Sequence, residues 1–372
     1  MANYRIKGII RDLKKMKPKW LKTSHIKSVI VNKSFELWYY FFKKSFKYVN
    51  KGKILIITME ALGDNVVKAT SFKILLDYFG KDNVYIQCRD KWSSVYTKMG
   101  LNVIEYRKDK SIIKRTLFLV NNCKKINSLG IDKVIIFDHA GFSGHGKDIF
   151  CNCRIGTTLL DNDINLDIAV KIEGEDPYIL DRHIKLLKVI TGNNYNLEYV
   201  KPDIREVLEN KKYSNVIAIG LGASHEKKTL PIKKMVEILN LLLKKYPEKE
   251  ICLLGAGKKQ KIYAEEIEKQ LNNKRIKNYI DKFELLETIQ MIGDSDFFIG
   301  YDSGLSNIAL SLRKKYICLF WTKSKTWQHP FKDVKIILGD EKDIVYDGYY
   351  GTEILNSIKV EQIEKALKEL EL

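Results

Sequence analysis

Three short segments place small and ionisable residues directly after strand-like runs of β-branched and apolar residues. The segments are Leu62-Gly63-Asp64, Gly222-Ala223-Ser224 followed by Lys228, and Asp302-Ser303-Gly304 followed by Asn307. In an open parallel sheet, ligands collect outside the carboxyl ends of the strands. The position of these segments therefore predicts a binding region that is built from three loops.

The first segment supplies a carboxylate. Gly63 permits a tight turn, and Asp64 lies in the first turn of the helix that begins there. A carboxylate at a strand end could act as a general base on a substrate hydroxyl. The alternative is that Asp64 only caps the helix, where a negative charge favours the positive end of the helix dipole.

The second segment has the composition of an anion site. Gly222 and Ala223 let backbone N–H groups approach an anion, and Ser224 and Lys228 add a hydroxyl and a positive charge. The alternative is an ordinary strand-to-helix turn with solvated lysines.

The third segment opens another helix, at Asp302-Ser303-Gly304. Backbone donors and the helix dipole make such a helix start a natural phosphate site, although Asp302 and Ser303 could equally be plain caps. Gly255-Ala256-Gly257 adds a turn with G-x-G spacing, but no later glycine completes a dinucleotide fingerprint. Gly255 is therefore kept as a candidate donor contact and not as evidence for NAD.

Two successive series of strands and helices position these loops. Strands are expected at 54–58, 83–88, 102–106 and 132–137, and again at 216–220, 250–254, 296–300 and 316–320. Such alternation predicts parallel sheets with crossover helices, whereas 139–180 reads as irregular. The expected units are an extension at 1–50, a Rossmann-like domain at 51–210, a second one at 211–345 and a helical tail at 346–372.

Composition narrows the class of protein. With 372 residues, 45% hydrophobic and 30% charged, the chain has the composition of a soluble globular protein of two domains. The net charge is +19, but residues 1–53 hold 15 basic and only 2 acidic residues. Because the folded domains lack a basic stripe, we do not expect nucleic-acid binding. Scattered cysteines and the absence of a long apolar run indicate reduced thiols and a cytoplasmic location.

The ordered set of segments resembles glycosyltransferase family 9, the ADP-heptose:lipopolysaccharide heptosyltransferases. Members carry L-G-D after the first strand, G-A-S/T followed by K-x-W-P, and D-S/T-G-x-x-H before a late helix. The matching residues here begin at Leu62, Gly222, Lys228 and Asp302, and the resemblance covers about 53–330. Two positions depart from the family pattern, because its Trp is Leu230 and its His is Asn307.

The resemblance implies an α/β GT-B fold and an inverting, metal-independent glycosyltransferase that uses a nucleotide-sugar donor and no cofactor. The family's donor is ADP-heptose and its acceptor an envelope glycan such as lipopolysaccharide. Asp64 would be the general base, and Lys228 would stabilise the departing diphosphate. The donor would contact Gly222, Ala223, Ser224, Lys228, Gly255, Asp302, Ser303, Gly304 and Asn307.

The acceptor would lie against the first domain. Gly63 and the glycine-rich loop that carries His139 and His145 are the candidate contacts, with an ordinary glycine loop as the alternative for the two histidines. Asp161-Asn162-Asp163 and Asp294-Ser295-Asp296 look like the D-x-D of metal-dependent transferases. Neither lies at the carboxyl end of an expected strand, so no metal site is expected.

The basic extension has a function of its own in this interpretation. A dense aromatic segment at 35–42 is flanked by lysines, which suits an interfacial helix on an anionic bilayer. We therefore expect a peripheral protein on the inner face of the cytoplasmic membrane, near a lipid-linked acceptor. The alternative is that the aromatic side chains pack against the first domain.

Three rival functions remain. An NAD-dependent enzyme requires a completed glycine fingerprint with an acidic residue further on, which no turn supplies. A non-catalytic, membrane-docked glycan-binding protein is favoured mildly by Asn307 and disfavoured by Asp64 and Lys228. A transferase of the same fold with a different nucleotide-hexose donor is compatible with every residue named.

Overall fold

The computed structural model describes residues 23–107, 109, 111–137, 146–160, 163–174, 177–223, 228–321, 324–339 and 355–372. They form two six-stranded parallel sheets, one in each half of the chain. The predicted α/β class with two Rossmann-like units is confirmed. The predicted domain limits stay a prediction.

The first sheet has the strand order β3-β2-β1-β4-β5-β6. Its strands are β1 (Lys53–Thr58), β2 (Val84–Arg89), β3 (Asn102–Tyr106), β4 (Ile131–Ile136), β5 (Cys153–Thr158) and β6 (Ile168–Lys171). The central strand reads Lys-Ile-Leu-Ile-Ile-Thr and is buried after its first residue. Such near-continuous apolar runs are typical of parallel strands that are covered on both faces.

Helices precede, connect and follow these strands. They are α1 (Thr23–Ser45), α2 (Leu62–Val66), α3 (Ala69–Phe79), α4 (Asp90–Lys98), α5 (Ile112–Ser128) and α6 (Ile179–Thr191). Helix α6 ends because Gly192 adopts a left-handed conformation with φ of 77°, which glycine enters without steric cost. The L-G-D segment lies in the short helix α2, at the carboxyl end of β1.

The second sheet has the order β12-β11-β10-β7-β8-β9. Its strands are β7 (Val216–Gly220), β8 (Glu250–Leu254), β9 (Ile276–Asn278), β10 (Phe297–Tyr301), β11 (Tyr316–Phe320) and β12 (Val334–Leu338). The helices of this half are α7 (Ile232–Lys245), α8 (Lys258–Leu271), α9 (Leu285–Asp294), α10 (Gly304–Ser311) and α11 (Val360–Glu369). Since β7 lies between β8 and β10, the loops after these three strands share one edge.

The two halves are joined by a shared apolar core and by polar contacts. Ile56 of β1 and Phe298 of β10 belong to the same cluster of buried residues. Lys201, in the segment between the sheets, forms an ion pair of 2.7 Å with Asp333. The carbonyl of Lys201 accepts hydrogen bonds of 2.8 Å from Thr70 in the first half and from Arg313 in the second. The loops of the two sheets are therefore held against each other.

Several expectations from the sequence are corrected. The segment 139–180 is not wholly irregular, because it contains β5 and β6. The helix that was expected to begin at the L-G-D segment is the short α2, which ends at Val66 before α3 begins at Ala69. Strands β9, which has only three residues, and β12 form the two edges of the second sheet and were not expected.

Helix α1, from the basic extension, packs on α5 of the first domain. Val31 and Phe35 are buried there, at 1% and 9% exposure. Phe42 and Phe46 contact Phe150 with ring centroids 6.3 and 5.4 Å apart. The sequence left open whether the aromatic side chains of the extension pack against the first domain. On this side of α1 they do. Among the helices that the structure describes, none is long and apolar enough to cross a membrane.

Candidate active site

The carboxylate of Asp64 lies beside the contact between the two halves. Its Oδ2 accepts a hydrogen bond of 3.2 Å from the backbone N–H of Ala61, and the side chain is half-buried. The capping contact that the sequence left open is therefore present. A carboxylate that caps α2 is also held in one orientation, which a general base requires.

Buried polar contacts fix the loop that carries Asp64. Asn65 donates to the carbonyl of Ala61 at 2.8 Å and accepts from the hydroxyl of Thr58 at 2.9 Å. The Tyr96 hydroxyl donates to the backbone carbonyl of Asn65. Behind the loop, Lys68 and Glu60 form an ion pair in which both side chains are almost fully buried. These contacts predetermine the backbone of the loop before any substrate binds.

The L-G-D segment of the first domain touches the D-S-G segment of the second. The amide nitrogen of Gly63 lies so close to Gly304 that a Cβ added to Gly304 would be 3.4 Å from it. A Cβ on Gly63 would lie 3.0 Å from the Gly304 Cα and 2.7 Å from Asn307 Nδ2. Only glycine at position 63 permits this approach without displacement of a neighbour. The predicted convergence of these two segments is thus present.

Lys228 is ion-paired and not freely mobile. Its ammonium lies 2.8 Å from Asp302 Oδ2, and the two side chains are only 16% and 13% exposed. The same oxygen accepts a hydrogen bond of 2.7 Å from Trp321 Nε1. The ammonium also lies 4.8 Å from the centroid of the Trp321 ring. Two of the predicted donor segments are therefore joined directly.

The glycine turns after β7 and β8 meet at one side chain. Gln260 accepts a hydrogen bond of 2.7 Å from the N–H of Ala256. A Cβ on Gly222 would lie 2.9 Å from Gln260 Oε1, and one on Gly255 would lie even closer. The side chain of Gln260 therefore packs against both glycine turns.

The start of α10 carries a buried hydroxyl. Ser303 is the N-cap, but this hydroxyl makes no capping hydrogen bond. Its Oγ is buried and has no partner in the part of the chain that the structure describes. Together with the backbone N–H groups of the first turn, this hydroxyl suits an anion.

Asn307 is linked to a buried histidine that the motifs do not include. His329 Nε2 lies 3.1 Å from Asn307 Oδ1, and its Nδ1 lies 2.8 Å from the Tyr178 hydroxyl. Burial, reinforced by the positive charge of Lys201, lowers the pKa of His329 from 6.5 to about 3. The imidazole is therefore neutral, with Nε2 donating to Asn307 and Nδ1 accepting from Tyr178.

Other predicted residues lie elsewhere or cannot be placed. Ser224, His139 and His145, and the first D-x-D at 161–162, lie outside the described residues. Leu230 is packed in the core of the second half, at 2% exposure. In the second D-x-D, Asp296 pairs with Lys249 at the amino end of β10, away from the site. Among the described residues, no group of three or more His, Cys, Asp and Glu is placed to hold a metal ion.

Sequence reasoning missed several residues of the site. Trp321 directly follows strand β11, so the rule that directed attention to the other strand ends could have found it. His329, Tyr178 and Gln260 lie outside any motif or strand end and come together only through the fold.

Two facing Rossmann-like units whose motif loops meet at one edge define the GT-B fold. Residues 164–344 match the sequence model of glycosyltransferase family 9 (heptosyltransferase). The chain is also 23% identical over 342 residues to lipopolysaccharide heptosyltransferase 1 of Campylobacter coli, across 86% of this chain and 98% of that relative. The resemblance to this family is confirmed, and the chain is a heptosyltransferase-like glycosyltransferase.

Solved structures agree with the fold. The E. coli heptosyltransferase WaaC with ADP superposes with a TM-score of 0.67 at 11% identity, over 86% of this chain and 99% of that one. The E. coli ADP-heptose lps heptosyltransferase II gives a TM-score of 0.67 at 17% identity, over 86% and 98% of the two chains.

Proposed function

We propose that the protein transfers heptose from ADP-heptose to a lipopolysaccharide, lipooligosaccharide or related envelope glycan, with inversion and without a metal. The observation that carries the proposal is the close approach of Gly63 to Gly304, which brings the L-G-D and D-S-G segments together. The proposed donor follows the similar solved structures, one of which is E. coli heptosyltransferase WaaC with ADP-2-deoxy-2-fluoro heptose. The acceptor class follows the name of the Campylobacter coli relative.

Asp64 is the general base in this mechanism. Its carboxylate takes the proton of the acceptor hydroxyl while the hydroxyl oxygen attacks the anomeric carbon of the donor sugar. The bond from that carbon to the diphosphate breaks on the opposite face, so the configuration inverts. General-base assistance of this kind contributes about two to four orders of magnitude in rate.

The negative charge that develops on the diphosphate is stabilised by protein groups. The N-terminus of α10 offers backbone N–H groups and the buried hydroxyl of Ser303. Lys228 adds a positive charge whose position is fixed by Asp302. Preorganised donors in a water-poor site stabilise a developing charge without reorganisation during the reaction. These groups take the place that a divalent cation holds in metal-dependent transferases.

A different nucleotide-hexose donor is the principal alternative. Leu230 and Asn307 replace the Trp and His that adjoin the donor site in the family, and Leu230 is buried in the core here. The ring of Trp321 lies over Lys228 instead, so the donor site has an aromatic side chain from another strand. A non-catalytic glycan-binding protein is the second alternative, which the fixed carboxylate of Asp64 disfavours.

Thermal-shift measurements with ADP, UDP, GDP and dTDP test the donor directly. We expect ADP to raise the melting temperature most, since a ligand that binds only the native state stabilises it by mass action. Transfer from ADP-heptose to a heptose-deficient lipopolysaccharide acceptor should then be followed by mass spectrometry. A larger rise in melting temperature with UDP or GDP would mean that the donor carries that nucleotide instead. Donor binding without transfer to any glycan would favour the non-catalytic alternative.

The extension docks the enzyme on the inner face of the cytoplasmic membrane in this proposal. Ile30, Leu37 and Phe41 form an exposed stripe on α1, at 37%, 47% and 60% exposure, on a different side from buried Val31 and Phe35. Basic residues of α1 lie beside the stripe at positions 27, 33 and 44. An apolar stripe bordered by lysines suits the interface of an anionic bilayer, where each basic residue contributes about 1 kcal/mol.

A further inference from the structure

Three side chains form a hydrogen-bonded chain that ends at helix α10. The hydroxyl of Tyr178, the N-cap residue of α6, lies 2.8 Å from His329 Nδ1, and His329 Nε2 lies 3.1 Å from Asn307 Oδ1. The backbone N–H of Ile179 donates to the carbonyl of Thr326 at 3.0 Å, which holds the start of α6 against the segment that carries His329. The chain therefore joins the first half to the helix that opens the proposed diphosphate site.

The amide of Asn307 lies at the junction of the L-G-D and D-S-G segments. Its backbone N–H donates to the carbonyl of Ser303 at 3.2 Å, so Asn307 lies one turn after the N-cap of α10. Side chains of a helix lean toward the N-terminus, which places this amide over the first turn. Its Nδ2 is 2.7 Å from the position that a Cβ on Gly63 would occupy.

The direction of the chain determines which side of the amide faces the junction. When Tyr178 donates to Nδ1, the neutral imidazole carries its proton on Nε2 and donates to the oxygen of Asn307. With the proton on Nδ1 instead, the amide would have to turn and donate to Nε2, and its oxygen would face the junction. The structure has the first arrangement, with Oδ1 toward His329 and Nδ2 toward Gly63.

An amide N–H and an amide oxygen have opposite effects beside an anion. The start of α10 offers backbone N–H groups to a diphosphate, and a side-chain N–H adds a further donor, whereas an oxygen would repel the phosphate charge. We propose that Tyr178 and His329 are positioning residues, which hold the Asn307 amide with its N–H groups toward the diphosphate of the donor. The inference rests on the proposed function for the presence of a diphosphate, and it adds two residues that belong to none of the three segments.

Tyr178→Phe tests the chain at the end that is farther from the proposed diphosphate. The variant removes the hydroxyl that donates to Nδ1, so the imidazole can take the other tautomer and the amide can turn. Affinity for ADP, measured by titration calorimetry on the full-length protein, should fall about tenfold, because a hydrogen bond to a charged group is lost. Tyr48→Phe is the matched control, since its hydroxyl donates to the carbonyl of Ile131 at 2.6 Å in the first sheet.

A double-variant cycle separates positioning from a purely structural role. Asn307→Ala removes the amide that the chain orients, so Tyr178→Phe should cause no further loss of ADP affinity in that background. A change in packing alone would reduce the affinity by the same factor in both backgrounds. His329→Gln retains an amide nitrogen that can donate to Asn307, so it should bind ADP more tightly than His329→Leu.

The tautomer of His329 can be measured without a nucleotide. In protein with ¹⁵N-labelled histidine, the resonances that disappear in His329→Gln should show the proton on Nε2 in the wild type and a shift toward Nδ1 in Tyr178→Phe. These tautomers, together with a loss of ADP affinity that depends on Asn307, support the inference.

Two results would overturn the inference alone. One is a proton on Nδ1 of His329 in the wild type. The other is wild-type binding of ADP that Tyr178→Phe leaves unchanged, or weakens equally in the Asn307→Ala background. Absence of ADP binding by the wild type would overturn the proposed donor and the inference together, so the two kinds of failure are distinguishable.

Discussion

Lys228 and Asp302 form an ion pair of 2.8 Å that joins the segment after β7 to the segment after β10. Both side chains are mostly buried, so their combined charge sets the local charge of the proposed diphosphate site. The carboxylate offsets part of the lysine charge before the donor binds, and it fixes the position of the ammonium group. Breaking such a pair leaves an uncompensated charge where the diphosphate is expected.

The first prediction concerns this pair. Lys228→Ala should raise the KM for the donor by about ten- to a hundredfold, since a lost charged hydrogen bond costs about 1.5–3 kcal/mol. Asp302 would then repel the diphosphate, so adding Asp302→Asn to Lys228→Ala should recover part of the affinity. Lys234→Ala, which breaks an exposed pair with Glu237 on α7, is the control. Unchanged donor kinetics in Lys228→Ala would show that this loop is not the diphosphate site.

The second prediction concerns the pH dependence of stability at His329. Its pKa is about 3 in the folded protein and 6.5 when unperturbed, so the unfolded chain binds one more proton between these values. The free energy of unfolding should therefore fall as the pH falls below about 6.5, by about 1.4 kcal/mol per pH unit from this residue. Urea unfolding of the wild type and His329→Gln at several pH values from 7 to 5 measures the difference. Equal slopes would mean that His329 is not buried in its neutral form.

Metal independence gives the third prediction. Because Lys228 and the start of α10 are placed to stabilise the leaving diphosphate, transfer should proceed at the same rate in excess EDTA. Adding Mg²⁺ or Mn²⁺ after the chelator should not increase the rate. Strict dependence on either ion would contradict the proposed mechanism.

The fourth prediction concerns membrane docking. Replacing Leu37 and Phe41 with Gln should reduce co-sedimentation with anionic vesicles, and salt should weaken the binding of the wild type. Ile262→Gln, at an apolar residue of α8 that is 56% exposed, is the control. Point changes are preferable to deletion of 1–50, since Val31 and Phe35 belong to the core. Wild-type binding by the double variant would exclude this stripe as the docking surface.

Much of the fold could be predicted because buried parallel strands have distinctive sequences. The strands at Asn102–Tyr106, Val216–Gly220 and Tyr316–Phe320 have the bounds that their apolar runs indicate. Strand β5 was missed because Cys-Arg-Ile-Gly-Thr-Thr has only one large aliphatic residue, and β6 because most of it is exposed at the sheet edge.

The parts of the candidate site that directly follow the ends of strands could be predicted from the sequence. The meeting of Gly63 with Gly304 follows from the motifs and the topology together. The contact between Tyr178 and His329 spans 151 positions in the sequence, and neither residue belongs to a regular element. No local pattern encodes such a contact, so it could be found only in the folded structure.

The turnover of Asp64→Asn tests the central claim most directly. Asparagine retains an oxygen that can accept the N–H of Ala61, so the fold and the affinity for the donor nucleotide should stay near those of the wild type. Turnover should fall by about two to four orders of magnitude, because the amide cannot take the proton of the acceptor. Asp82→Asn, at an exposed aspartate before β2, is the control. Near-normal turnover in Asp64→Asn would contradict the account and leave Asp64 as a helix cap.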